Sequence, residues 1–143
     1  MVNDDDRKAL LSALESDGPD ALKYADDSLK TDLKTVYLAV QQNGSVLEYA
    51  DDSLKANRNV VLEAVKQWGS ALKFADDSLK ADPEVVLEAV RQNGNALQFA
   101  NDSLKADRKF MLAAVKLDGF ALHCADQKLK NDPELKKIAD SFL

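Results

Sequence analysis

The chain repeats itself every 25 residues, and this period constrains the fold more than any other feature of the sequence. Glycines recur at Gly18, Gly44, Gly69, Gly94 and Gly119, spaced by 26 and then three times by 25, while Leu29, Leu54, Leu79, Leu104 and Leu129 keep a spacing of 25 throughout. The surplus residue therefore belongs to the first unit, at Pro19 just after Gly18, where a longer loop costs little. Five units run over about 5–30, 31–55, 56–80, 81–105 and 106–130, and 131–143 reads as the first half of a sixth, a C-terminal capping helix. No unit of this size buries an apolar face alone, so each depends on stacking against its neighbours. A single helical-repeat domain over residues 1–143 is expected.

The second position of each unit is Asp6, Asp32, Asn57, Asp82, Asp107 or Asp132, residue types whose side chains accept from the amides of a first helical turn. Pro83-Glu84 and Pro133-Glu134 follow two of them, placing proline where its missing N–H does no harm and a carboxylate near the positive end of the helix dipole. Apolar residues then recur with helical spacing, as in Val60 to Val65 and Val85 to Val90. The glycine is expected to end this first helix, after about 11 to 12 residues, in a left-handed conformation. Ser45, Ser70 or Asn95 is expected to cap a second, shorter helix such as Ala71 to Ala75, and Leu79 and its counterparts to anchor a tight turn. Strand alternation is absent. The fold class is therefore all-α, a solenoid-like array of two-helix repeats.

The recurring Val-Leu-Glu-Ala-Val-x-Gln-x-Gly-x-Ala-Leu-x-Phe-Ala-x-Asp-Ser-Leu-Lys-x-Asp, seen in Val61 to Asp82 and Val86 to Asp107, resembles the repeats of a family catalogued as domain of unknown function 4116. The likeness spans nearly the whole chain, with departures at Gly18-Pro19 in the first unit and at Cys124, Gln127 and Lys128 in the fifth. It implies a binding or spacer module of the kind found in secreted effectors of intracellular bacteria and in proteins of unicellular eukaryotes. It carries over no catalytic residue.

Composition narrows the classes of partner. Hydrophobic residues form 45% of the 143 and charged residues 31%, enough apolar material for a core and too much for a disordered tail. Nineteen Lys plus Arg against 25 Asp plus Glu leave −6, which disfavours a general nucleic-acid or anionic-membrane binder. The N-terminus, Met1 to Asp6, is acidic where a secretory signal is basic, and no run approaches the roughly 18 apolar residues of a membrane span. The single cysteine, Cys124, suits a reducing compartment and makes neither an internal disulfide nor a cysteine-rich zinc site. A cytoplasmic protein is expected or, were it an effector, one delivered into a host cell.

Each chemical constellation has a simpler explanation in the repeat. His123-Cys124 places a base beside a nucleophile, but Cys124 occupies the position of Tyr24, Tyr49, Phe74 and Phe99, read as core, and His123 that of Lys23, Glu48, Lys73 and Gln98, read as solvent-facing. Asp26-Asp27-Ser28 and its counterparts at 51, 76 and 101 suggest calcium, yet the fifth position from Asp26 is Lys30 and the loop has no glycine. These side chains are read as caps, with Lys30, Lys55, Lys80, Lys105 and Lys130 offsetting acids between neighbouring units. Asn43-Gly44-Ser45 and Asn101-Asp102-Ser103 match a glycosylation pattern only because the repeat generates it. No phosphate loop, dinucleotide fingerprint, zinc motif or hydrolase elbow is present. No enzyme, catalytic residue, cofactor or metal is expected.

Departures from the repeat are then the guide to a partner surface, because recurring positions encode stacking. Trp68 stands where the other units have Asp17, Asn43, Asn93 and Asp118. Leu117 replaces Gln42, Gln67 and Gln92, and Phe120 replaces Ser45, Ser70 and Asn95. For Leu117 and Phe120, packing under the atypical C-terminal unit is the favoured explanation over a partner contact, whereas for Trp68 a partner contact and local packing weigh nearly evenly. The functional reading is a non-catalytic scaffold that binds a protein or peptide, with Trp68 at least half exposed and Gln42, Asn43, Gln92 and Asn93 as its polar rim. A structural spacer or self-associating module is the alternative, and a metal-dependent regulator or enzyme a more distant one.

Overall fold

The computed structural model describes residues 2–143, and among them there is no β-strand. The sequence predicts two helices per unit, whereas the structure builds three helical segments. Unit 3 shows the pattern: an α-helix at Arg58–Gln67, a 3-10 helix at Gly69–Phe74 and a single α-turn at Asp77–Lys80. The first helices of units 2, 4 and 5 are Leu33–Gln42, Pro83–Gln92 and Arg108–Leu117, each 10 residues and so slightly shorter than expected. In unit 1 the first helix is Asp4–Asp17 and the next segment, Asp20–Lys23, is α rather than 3-10. Pro133–Asp140 closes the array as the half unit anticipated from the sequence.

Caps explain the starts. The side chains of Asp32, Asn57, Asp82, Asp107 and Asp132 each accept from amides of the following turn. Asp6 does not. Asn3 takes that role by accepting from the Asp6 amide at 2.8 Å, and the first helix starts before Asp6.

The glycines act differently from the expectation. Only Gly18 has positive φ, at 75°; the first helices of units 2 to 5 end instead on extended residues, Asn43, Trp68, Asn93 and Asp118. The inner glycines are needed for close approach between units. A Cβ on Gly44 would lie 2.5 Å from the carbonyl oxygen of Ala64, and one on Gly119 2.8 Å from that of Ala139.

After each of the four inner glycines the chain runs as a 3-10 helix, begun by the residue before the glycine rather than the one after it. Asn43, Asn93 and Asp118 accept from the amides of Ser45, Asn95 and Phe120. Six residues of 3-10 helix reach about 12 Å against about 9 Å for α-helix, so the short segment returns most of the way along a ten-residue helix. Three residues per turn set Leu72 and Ala75 on the buried side.

Three kinds of link recur between units. The core is continuous: Val60, Val61, Ala64, Val65, Ala71 and Leu72 of unit 3 are fully buried with their counterparts to either side. Each valine or leucine among them contributes about 1.5–3 kcal/mol by leaving water. A backbone bond then links successive α-turns, from the amides of Asp51, Asp76, Asn101 and Asp126 to the carbonyls of Lys30, Lys55, Lys80 and Lys105, at 2.9–3.0 Å. The Lys side chains do not bridge units as expected. Those of Lys55, Lys80 and Lys105 approach Asp52, Asp77 and Asp102 of their own turns, at 3.9–4.0 Å.

The third link is an arginine clamp that occurs at alternate junctions. Arg7 donates to Asp32 at 3.0 Å and to the Thr35 hydroxyl at 3.1 Å; Arg58 binds Asp82 at 3.0 Å and also Glu84; Arg108 binds Asp132 at 2.8 Å and Glu134 at 3.0 Å. The same position in units 2 and 4 holds Leu33 and Pro83, so junctions 2–3 and 4–5 have no clamp.

Candidate partner-binding surface

Trp68 forms the junction between the first helix and the 3-10 helix of unit 3, with the extended backbone (φ −145°, ψ 100°) that Asn43, Asn93 and Asp118 share at this corner. Those three use a side-chain oxygen to cap the 3-10 helix, and Trp68 makes no such hydrogen bond. The indole lies against Phe74 instead, ring centroids 6.0 Å apart, with the Lys73 ammonium 5.4 Å from the Trp68 ring and 5.0 Å from that of Phe74. Phe74 and the Lys73 stem therefore cover part of the indole, which is 37% exposed rather than the half or more expected. The result is an apolar aromatic surface with one cation above it, and cation–π pairs of this kind contribute about 0.5–1 kcal/mol at exposed sites.

Of the expected rim, Gln42, Gln92 and Asn93 are exposed and Asn43 is half-buried. Gln92 reaches the corner itself, its Cβ 3.2 Å from where a Cβ on Gly69 would lie. The amide oxygens of Asn43 and Asn93 are committed to their own caps, at 3.0 Å from the Ser45 and Asn95 amides. On the other flank Gln67 donates to the carbonyl of Gln41 at 2.6 Å.

Leu117 and Phe120 hold the same corner in unit 5 and are not part of the Trp68 patch. Leu117 is half-buried against the core. Phe120 is 54% exposed, stacks on His123 at 6.2 Å, and lines a C-terminal groove of about 330 Å³ with Leu122 and Phe142.

The stripe of Tyr24, Tyr49, Phe74, Phe99 and Cys124, expected in the core, reaches it only in part. Tyr24 is 78% exposed, whereas the other four are half-buried against the core, the three-residue turn of units 2 to 5 turning this position aside from the neighbouring Leu and Ala. The Tyr49 hydroxyl meets Asp20 of the preceding unit at 3.2 Å, and Lys23 sits over both Tyr24 and Tyr49. A row of aromatics with interspersed lysines thus runs beside Trp68. Its signal in the sequence is the aromatic at a fixed place in four units.

His123 is exposed, whereas the Cys124 sulfur faces the carbonyl of Asn95 at 3.9 Å, and burial holds the thiol above its ordinary range. The pair has no dyad geometry. The triplets act as caps: the side chains of Asp26, Asp51, Asp76 and Asn101 accept from the amides of Ser28, Ser53, Ser78 and Ser103. The Ser53 and Ser78 hydroxyls reinforce this and keep the Asp51 and Asp76 carboxyls below the usual carboxylate range. Among the described residues no group of three or more His, Cys, Asp or Glu is placed to hold a metal ion, and no helix is long and apolar enough to cross a membrane.

A family model described as "Domain of unknown function (DUF4116)" matches residues 6–55, 57–105 and 107–139. Each of the first two matches spans two 25-residue units, and all three arginine clamps fall inside a match, from Arg7 to Asp32, Arg58 to Asp82 and Arg108 to Asp132. The unclamped junctions coincide with the boundaries between matches. No curated protein and no solved structure matches the chain.

Proposed function

This chain belongs to the DUF4116 family, whose description names no activity, and from its surface we propose a non-catalytic scaffold that binds a protein or peptide partner around Trp68. The observation that carries this reading is the forfeited cap. A cap side chain at such a site contributes about 1 kcal/mol, and unit 3 gives it up for an indole that stays partly in water. Tryptophan beside an aromatic and a cation has the character of an interface anchor, apolar over most of its area with a hydrogen-bonding N–H at one edge. The complementary partner offers an apolar side chain for the Trp68–Phe74 surface and a carboxylate for Lys73. Such a role requires no cofactor or metal, and the half-buried thiol fits a reducing, cytoplasmic setting.

Self-association is the second reading, favoured by the exposed Phe120 and Phe142 at the C-terminal groove. Affinity capture with the parent and with Trp68→Asn tests the first reading. A discrete set of proteins retained by the parent and lost by the variant is expected. Equal retention by both contradicts it, and retention of the chain itself through the C-terminal groove supports the second reading.

A further inference from the structure

Junction 2–3 differs from the clamped junctions in both clamp partners. Arginine is replaced by Leu33, and the cap that is Asp32, Asp82 or Asp132 at clamped junctions is Asn57. Removing both together leaves no unpaired carboxylate, and a groove of about 430 Å³ lies at this junction between the helices Leu33–Gln42 and Arg58–Gln67. Leu33, 50% exposed, forms one wall with the half-buried Tyr37 and Leu62. Tyr37 is itself a departure, since its counterparts are Leu11, Leu62, Leu87 and Leu112. The rim carries Lys34 and Lys66 against the single Glu63, with the amides of Asn57 and Asn59 between them. Junction 4–5 lacks these features: Pro83 and Leu87 replace Leu33 and Tyr37, Asp107 keeps its charge, and Glu84 stands where Lys34 does but is drawn to Arg58.

We propose that this groove binds an acidic peptide segment carrying one large apolar side chain. The apolar side chain enters between Leu33, Tyr37 and Leu62. The side-chain amides of Asn57 and Asn59 and the Tyr37 hydroxyl meet the peptide backbone, and Lys34 and Lys66 face its carboxylates. Charge complementarity selects this occupant: the groove has two cations and one anion in a protein whose net charge is −6. The site is separate from the Trp68 patch, so either can fail without the other.

The test is selection of a random heptapeptide library on the immobilised chain, followed by titration of the selected peptides. The double variant Leu33→Arg, Asn57→Asp installs the clamp of the other junctions, so it closes the groove with a pairing this fold already uses. The expected consensus is an acidic peptide with one aromatic or aliphatic residue, bound at least about tenfold more weakly by the clamped variant and by Lys34→Glu, Lys66→Glu. Circular dichroism establishes that both variants keep the parent's helicity. Absence of a consensus overturns the inference, as does a consensus insensitive to the clamp. A consensus lost only with Trp68→Asn overturns it while supporting the Trp68 scaffold.

Discussion

A Cβ placed on Gly69 would stand 2.5 Å from the carbonyl oxygen of Ala89, in the next unit. Real Cβ atoms do not approach backbone oxygen so closely, so Gly69→Ala must push units 3 and 4 apart. Overpacking of this kind destabilises by about 1–3 kcal/mol, whereas Gly→Ala at a relaxed site stabilises by about 0.4–1 kcal/mol. Urea denaturation of Gly69→Ala is expected to show a loss. Gly18→Ala is expected to lose about 1–3 kcal/mol for another reason, its φ of 75° and ψ of −164°, since nothing lies within 4 Å of an added Cβ there.

Arg7 is the buried member of the clamp series, held by Asp4, Asp32 and Thr35. Replacing it with alanine removes its hydrogen bonds to the Thr35 hydroxyl and the Asp32 carboxylate, leaving Thr35 as the donor to Asp32, at a cost of about 1.5–3 kcal/mol. Arg58, whose side chain is 42% exposed, pairs in a more solvated and screened setting. Chemical denaturation should therefore rank Arg7→Ala as more damaging than Arg58→Ala, and 1 M salt should narrow the Arg58 effect further. The reverse order would show that the clamps do not follow burial.

Acid should weaken the array through its capping carboxylates. The Thr35 hydroxyl above all, with Arg7 adding, holds Asp32 below the ordinary range against the opposing effect of burial, and serine hydroxyls and amides do the same at Asp51 and Asp76. A depressed folded pKa gives stability that is complete above the unfolded value, about 3.9, and is lost as pH falls through the folded one. Melting temperature is expected to be level from pH 7 to 5 and to fall below about pH 4. Asp51→Asn with Asp76→Asn, which copies Asn101, should reduce the fall while keeping both caps. A decline already under way between pH 7 and 5 would point to groups other than these.

Leu79 is 7% exposed inside the array and Leu129 is half-buried near its end. Leu79→Ala is expected to cost about 2–4 kcal/mol and Leu129→Ala less. Equal losses in parallel denaturation experiments would contradict a stack in which each unit is held mainly by its neighbours.

The period and the cap residues make the all-α array legible in the sequence, because Asp32, Asn57 and their equivalents act locally. Part of what the sequence hid depends on contacts 20 or more residues away, and part on the local change from α to 3-10 helix after the inner glycines. Gly69 reads as a helix terminator and serves instead as clearance for Ala89. Phe74 reads as core by α-helical spacing and is only half-buried at the core's edge because its segment turns every three residues. The alternation of Arg7, Leu33, Arg58, Pro83 and Arg108 was visible as letters, but only the reach of each guanidinium to the next unit's cap shows that units are clamped in pairs. Trp68 was legible as the residue that breaks the pattern; its partial shelter beneath Lys73 and against Phe74 was not.

The most direct measurement is the unfolding free energy of Trp68→Asn, followed by circular dichroism in urea so that the lost fluorophore does not matter. Asparagine at this corner regains the cap that Asn43 and Asn93 make to the amide two residues on, worth about 1 kcal/mol, and loses the Phe74 contact, worth about 0.5–1.5 kcal/mol. If Trp68 serves recognition rather than folding, the variant is expected to stay within about 1 kcal/mol of the parent while partner capture disappears. A loss of about 3–5 kcal/mol, the cost of emptying a buried tryptophan site, would make Trp68 a core residue and contradict its role as the centre of a binding surface.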